Sequence, residues 1–265
     1  VRVRVRDNVN KDMKEISICI ICFNEEARIE DCLKSATWAD EIIVVDSLST
    51  DRTVEVCKKY TKLVISNPWP GYVAQKNFVL EKANCQWVLS LDADERVSDQ
   101  LREEILALRK VGLGKDGCDG YYMPRKTFYL NRWMTHSGWY PDYKLRLFNK
   151  EKGTWGGLEP HDKVSLKGKA GYLKGELLHY SFNGLSHHLE KIDHFTTIAA
   201  KEAFLQGKRS GPGSLATRPL FTFFKMFILK MGFLDGLPGL IAAGMSAFHV
   251  FSKYAKLWEL QRRSK

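Results

Sequence analysis

Two carboxylates one residue apart, Asp92 and Asp94, follow an apolar run at residues 87–91. At the end of a buried strand such a pair repels itself unless a cation or several donors neutralise it. A hard divalent ion, Mg²⁺ or Mn²⁺, suits that role because it takes carboxylate oxygens together with the phosphate oxygens of a substrate. D-x-D alone is a weak signal, since acidic loops are common and mostly solvated. Its place directly after an apolar strand favours ligand binding. Three further polar segments occupy comparable places: Asn24-Glu25-Glu26 after residues 16–23, Asp46-Ser47 after residues 41–45, and Gln75-Lys76-Asn77 at the opening of a helix. In open α/β sheets, ligands bind beyond the carboxyl ends of the strands. No G-x-x-x-x-G-K-[ST] occurs, so no P-loop competes, and the G-x-G-x-x-G at residues 112–117 follows a predicted helix rather than the apolar strand a dinucleotide fingerprint needs.

The elements that must position these groups read as α/β. Residues 16–23 are continuously apolar, as in a strand buried on both faces. Asn24 is the expected N-cap of a helix carrying Ile29, Leu33 and Ala36 on one face. A second strand covers 41–45, and Thr50 is the expected cap of a helix turning Val54, Val56 and Cys57 inward, with Asp51 at its positive end. Short strands at 63–65 and 87–91 flank a helix at 75–83. Ser98 opens a helix with Leu101, Ile105 and Leu108 on one side. From 120 to 180 the pattern changes to short extended segments at 121–123, 143–148 and 176–180. Between them lie Gly- and aromatic-rich stretches, 137–141 and 153–160, expected to be functional loops. The remainder reads as helical, beginning with an amphipathic helix carrying Leu185, Leu189, Ile192, Ala199 and Ala203. Two apolar segments follow, 219–229 and 237–251, interrupted by Lys225, Lys230, Asp235 and Pro238. These predict a hairpin lying on a membrane surface, backed by Lys253, Lys256, Arg262, Arg263 and Lys265. Helices that close the core or form a homodimer interface are the alternative.

With 265 residues the chain suits one large α/β domain with an appendage. The division expected is 1–12 a tag or disordered extension before Met13, 13–183 the catalytic domain, and 184–265 a helical, membrane-associating region. A formal charge of +10 points to nucleic acid, anionic lipid or a phosphorylated substrate, and no nucleic-acid-binding module is visible. Six scattered cysteines suit a reducing compartment, and Cys19 and Cys22 within one strand point to opposite faces rather than to a shared metal.

The order of these motifs resembles the inverting family 2 glycosyltransferases of the GT-A fold: residues 17–25, Val44-Val45-Asp46-Ser47 with Ser49-Thr50-Asp51, Gln75-Lys76-Asn77, then Leu91-Asp92-Ala93-Asp94-Glu95. Later stretches are similar to the lipopolysaccharide inner-core glucosyltransferase-like subfamily: Gly138-Trp139-Tyr140-Pro141-Asp142, Arg146-Leu147-Phe148, His161-Asp162, residues 178–182, 230–236 and 254–258. The resemblance covers nearly everything after Met13. It implies a mostly parallel Rossmann-like sheet with helices on both faces, and a nucleotide-sugar donor, a UDP-hexose. Phe23, Asn24 and Glu25 would border the nucleotide pocket, Asp46 the base, Lys76 the base or diphosphate, and Asp92 the ribose, with Ala93 also among the nucleotide-sugar-binding residues. Asp94 and His179 would hold the metal. The acceptor would be a lipid-linked glycan or lipopolysaccharide at an anionic membrane, on the cytoplasmic face of the inner membrane. Inverting transfer needs a carboxylate to take the acceptor hydroxyl's proton. The family's acidic pair is replaced here by Glu159-Pro160-His161-Asp162, which makes Asp162 the expected base, with Glu159 and Asp142 as rivals. Trp139 and Tyr140 would form a sugar-stacking platform, and Arg146 would meet an acceptor phosphate. Bland roles stand beside these: Asp46 as a capping residue, Lys76 on a solvated helix face, His179 as a core histidine. Polyprenyl-phosphate sugar transfer is the nearest rival within the family, and a sugar nucleotidyltransferase a remoter one.

Overall fold

The computed structural model describes residues 15–158 and 161–263. The expected extension at 1–12, the rival base Glu159 and the basic Lys265 lie outside the described residues. The chain divides into two compact units, each built from separated segments.

The first unit holds the chain up to Ala93 with Glu103–Tyr122 and Leu145–Tyr172. Its strands β1 (Ile16–Cys22), β2 (Glu41–Asp46) and β4 (Trp87–Asp92) are runs of buried residues, and β3 (Leu63–Ser66) is the partly exposed edge. They pair in parallel in the order β3-β2-β1-β4, linked by helices α1 (Ile29–Ala36), α2 (Thr53–Cys57) and α3 (Tyr72–Lys82). Burial on both faces explains why these strands read as continuous apolar runs rather than alternating ones. Cys19, Ile21, Ile43, Val45 and Val88 pack with Val79 and Leu80 of α3 and with Phe148 and Trp155. Strand β8 (Asp142–Asn149) closes on β4 antiparallel through Leu147–Asn149. The expected sheet is therefore present in mixed form, flanked by helices.

Several local expectations need correction. Asn24 does not cap α1, which starts at Ile29. It sits in the left-handed region at φ 52°, and its Oδ1 accepts from Thr50 N–H at 2.8 Å. Thr50 does not cap α2, whose N-cap position is Arg52 with no side-chain cap bond; Asp51, just before it, accepts from Thr53 N–H through Oδ1 at 2.9 Å. Residues 153–158 do not form a loop. They are β9 (Gly153–Leu158), paired with β10 (His161–Leu166) in an antiparallel hairpin. All six cysteines are buried and unbridged, as expected.

The second unit holds Asp94–Arg102, Met123–Lys144 and the chain from Leu173 onward. Here the lower half of β6 (Gly120–Tyr129) pairs in parallel with β12 (Leu177–His179), which pairs antiparallel with β5 (Glu95–Val97). Strand β5 was not expected. After it, α4 (Asp99–Val111) starts where Ser98 Oγ accepts from Leu101 N–H at 3.2 Å, the expected cap. Helix α5 (Leu185–Leu205) buries His188, Ile192, Thr196, Ala200 and Ala203, whereas Leu185 and Leu189, expected inside, are exposed. Helix α6 (Pro212–Phe224) continues through a π turn, and α7 (Gly236–Arg263) packs against both α5 and α6. Lys256, expected at the membrane, is engaged by α5. Its Nζ donates to Asp193 Oδ1 at 2.7 Å and to the hydroxyls of Thr196 and Thr197. The segment Gly232–Arg263 is long and apolar enough, by length and composition alone, to cross a membrane.

Candidate active site

Sheet register brings the strand-end groups of the first unit together. Cys22 pairs with Asp46 and Ile21 with Asp92, so the two aspartates flank the end of β1. That is the carboxyl edge where open α/β sheets hold ligands.

Asp92 is the centre of a charge network. Its Oδ1 lies 2.8 Å from Lys76 Nζ and its Oδ2 2.6 Å from Arg146 Nη2. The same Lys76 Nζ donates to Asp162 Oδ2 at 2.8 Å. Lys76 and Arg146 are 3% and 4% exposed, too dry for either cation to stand without a carboxylate. Burial pushes the Asp92 carboxyl up, but Arg146 and Lys76 together hold it well below the usual carboxylate range. Trp155 of β9 roofs the pair, its ring centroid 4.5 Å from Lys76 Nζ and 5.5 Å from the Arg146 guanidinium. Asn77 fixes that roof: its Oδ1 accepts from Trp155 N–H at 2.9 Å and its Nδ2 donates to Trp155 O at 3.0 Å. Lys76 is thus no solvated helix residue. Arg146, expected to meet an acceptor phosphate, faces Asp92 instead.

Asp46 is buried, and its Oδ2 accepts from Ser49 N–H at 2.9 Å while Oδ1 accepts the Ser49 hydroxyl. Ser49 Oγ in turn accepts from Asn24 N–H at 2.8 Å, and Thr53 Oγ1 from Glu25 N–H at 2.8 Å. The carboxylate therefore braces the two strand-end loops; it caps no helix, since α2 begins only at Thr53. Phe23 stands out of these loops, 54% exposed and without a core to fill. Arg28 was missed by sequence reasoning. It is buried, its Nη1 lies 3.5 Å from Glu25 Oε2, and its Nη2 has no hydrogen-bond partner among the described residues. A buried cation directly after an acidic strand end is the signal that marks it.

In the second unit, Asp94 Oδ2 lies 3.4 Å from His179 Nε2, and His179 Nδ1 faces Thr127 Oγ1 at 3.4 Å. Tyr180 N–H donates to Asp94 O at 2.9 Å, locking β12 beside the acidic motif. Carboxylate and imidazole so placed are a donor pair for a divalent ion, with the hydroxyl orienting the ring. Among the described residues no cluster of three or more His, Cys, Asp or Glu side chains stands ready for a metal. Two protein donors fit an ion that completes its shell with water and substrate phosphate.

Asp142 has a different setting. Arg125 donates to its Oδ2 through Nε at 3.0 Å and Nη2 at 2.7 Å, and Lys144 Nζ lies 3.0 Å from Oδ1. Burial raises its pKa, but Arg125 and Lys144 bring it below the usual range, which makes it a weak base. Arg125 also reaches the fully buried Glu95 at 3.3 Å, a link that no sequence motif signals. Trp139 is partly buried, its ring centroid 5.1 Å from that of Tyr129 and 5.9 Å from that of Phe182. The Tyr140 hydroxyl, pushed up to about 12 by burial and by a hydrogen bond to Glu176, is held within the unit as well.

Residues 17–165 match the model of Glycosyl transferase family 2, and the chain belongs to that family. It is 33% identical to an uncharacterized glycosyltransferase of Rickettsia typhi, over 96% of this chain and 90% of that protein. It is 30% identical to the lipopolysaccharide core biosynthesis glycosyltransferase LpsC of Rhizobium meliloti, over 92% of each. Among solved structures, TarS of S. aureus in complex with UDP-GlcNAc aligns with 95% of this chain and 92% of its own, at 14% identity and a TM-score of 0.49. The protein is a nucleotide-sugar-dependent glycosyltransferase.

Proposed function

We propose that the chain is an inverting hexosyltransferase that moves a sugar from a UDP-hexose to a membrane-associated glycan acceptor of the lipopolysaccharide inner-core class. The observation that carries this reading is the bridge Asp92–Lys76–Asp162, in which one buried cation joins the strand-end aspartate to a second carboxylate on β10. Asp162 takes the proton of the acceptor hydroxyl as that oxygen attacks the anomeric carbon. The bond from the anomeric carbon to the diphosphate breaks on the opposite face, and its electron pair leaves with the nucleotide. The product therefore has the opposite anomeric configuration to the donor. Lys76 holds Asp162 in place between turnovers.

Asp94 and His179 are the residues that would hold a Mg²⁺ or Mn²⁺ ion. Such an ion, when bound, supplies positive charge to the departing diphosphate. Asp142, tied to Arg125 and Lys144, serves the frame rather than the proton transfer. Phe23, Asn24, Glu25 and Ala93 border the donor pocket.

Membrane presentation of the acceptor is supported by the apolar residues that α6 and α7 leave exposed, among them Leu220, Phe221, Phe224, Leu237 and Phe251. A surface so apolar is unusual unless something covers it. The naming of LpsC as a lipopolysaccharide core enzyme supports the acceptor class. Peripheral attachment at the cytoplasmic face of the inner membrane follows from such an acceptor, and nucleic acid has no part in it.

The test is to incubate the protein with UDP-hexoses, a divalent ion and either lipopolysaccharide-core acceptors or polyprenyl phosphate, then determine the anomeric configuration of the product by NMR. Inverted transfer to the core acceptor is expected. Retention of configuration would contradict the mechanism, and transfer only to polyprenyl phosphate would contradict the acceptor class.

A further inference from the structure

The segment Lys230–Gly236 has an inside-out pattern. Its acidic residue, Asp235, is fully buried, while Met231, Phe233, Leu234 and the adjoining Leu237 are exposed, Leu237 at 66%. Burying a lone carboxylate is costly unless its oxygens are matched by donors, and here they are matched from one stretch of chain. Asp235 Oδ2 accepts from His136 N–H at 2.9 Å. Its Oδ1 accepts from Thr135 Oγ1 at 3.0 Å and Thr135 N–H at 3.3 Å, and His136 Nδ1 lies 3.3 Å away. Arg132 Nη2 donates to Leu234 O at 3.1 Å, and Ser137 N–H to Lys230 O at 2.9 Å. The two segments touch too closely for a side chain at Gly232. A Cβ there would stand 2.6 Å from Ser137 Oγ. The loop so held leads at once into the strained turn Ser137-Gly138, both in the left-handed region, and then to Trp139, Tyr140 and Asp142.

We infer that Asp235 is a positioning residue for the acceptor: it fastens the 132–137 loop to a turn whose apolar side chains face outward, so that a lipid-linked acceptor meets this loop at a fixed depth. Asp235 touches no reacting atom. The inference rests on the lipid-associated acceptor proposed above. It adds that the apolar turn and the acceptor-side loop form a single latched piece.

Two readouts on the full-length chain test it. Hydrogen exchange at the amides of Thr135 and His136 should accelerate roughly tenfold or more in Asp235→Asn, because each donates to the charged carboxylate. Exchange across β1 and β4 should stay unchanged. Steady-state kinetics should show the KM for a lipid-linked acceptor rising several-fold, with the KM for donor and the rate of donor hydrolysis preserved. A second variant, Phe233→Ser with Leu237→Ser, should keep both amides protected yet raise the same acceptor KM. Unchanged exchange in Asp235→Asn would overturn the latch. Faster exchange with an unaltered acceptor KM would overturn the positioning role. Wild-type protein that hydrolyses donor but serves only water-soluble acceptors would instead overturn the proposed acceptor class, and the positioning role with it, while the exchange result would still report on the latch.

Discussion

Lys76 and Asp162 are 86 residues apart in sequence, and their charged atoms are 2.8 Å apart in space. The lysine is buried and shared with Asp92, so neither carboxylate can be removed without altering the field on the other.

Replacing Lys76 by Met should therefore do more than remove one contact. Two carboxylates would face each other without the cation between them, and breaking a buried pair from one side costs about 3–5 kcal/mol. Chemical denaturation should show a loss of that order, and calorimetry a weaker UDP affinity. An unchanged midpoint would mean that water screens the pair.

Acid stability should carry the mark of Asp92. Its pKa is depressed on folding, so its contribution is present above the unfolded value, near 4, and is lost as pH falls through the lower folded value. Below pH 4 the unfolded chain binds the proton first, and stability should fall with pH. Asp92→Asn should flatten that limb in denaturation curves recorded between about pH 2 and 5. An equally steep limb in the variant would assign it to other groups.

Metal use should depend on Asp94 and His179 together. Asp94→Ala or His179→Ala should lower metal-dependent UDP binding by roughly 10–100-fold, the scale of a disturbed ligand set, without shifting the denaturation midpoint much. Full turnover in excess chelator would contradict the assignment.

Vesicle binding should follow the exposed residues of α6. Serine in place of Leu220, Phe221 and Phe224 should reduce sedimentation with anionic liposomes, and salt should weaken what remains because exposed charges are screened. Unchanged sedimentation would leave these side chains to packing between copies of the chain.

How much of this was legible depended on the range of the interaction. The strands carrying Asp46 and Asp92 were plain because burial on both faces leaves an unbroken apolar run. The D-x-D motif was visible because strand and acid are contiguous. The pairing of Arg146 with Asp92, 54 residues apart, was not, since it depends on β8 closing against β4. The hairpin at 153–166 was hidden by Gly153, Gly156 and Gly157, which interrupt the alternation that announces a strand. Thr50 was expected to cap α2 because it is a good capping residue near the helix start, and only geometry shows that the helix begins three residues later at Thr53. Asp235 looked like a break in an apolar segment. Sequence spacing does not reveal that its partners lie a hundred residues earlier.

The most direct test of the account is the turnover of Asp162→Asn, measured beside its donor affinity. The substitution keeps the shape and removes the proton acceptor. UDP-sugar binding should be retained while kcat falls by roughly 10²–10⁴-fold, the usual worth of general-base assistance. Measuring both separates a missing base from a misplaced strand. Near-normal turnover in Asp162→Asn, with the loss appearing instead in Glu159→Gln, would contradict the account and move the base to Glu159.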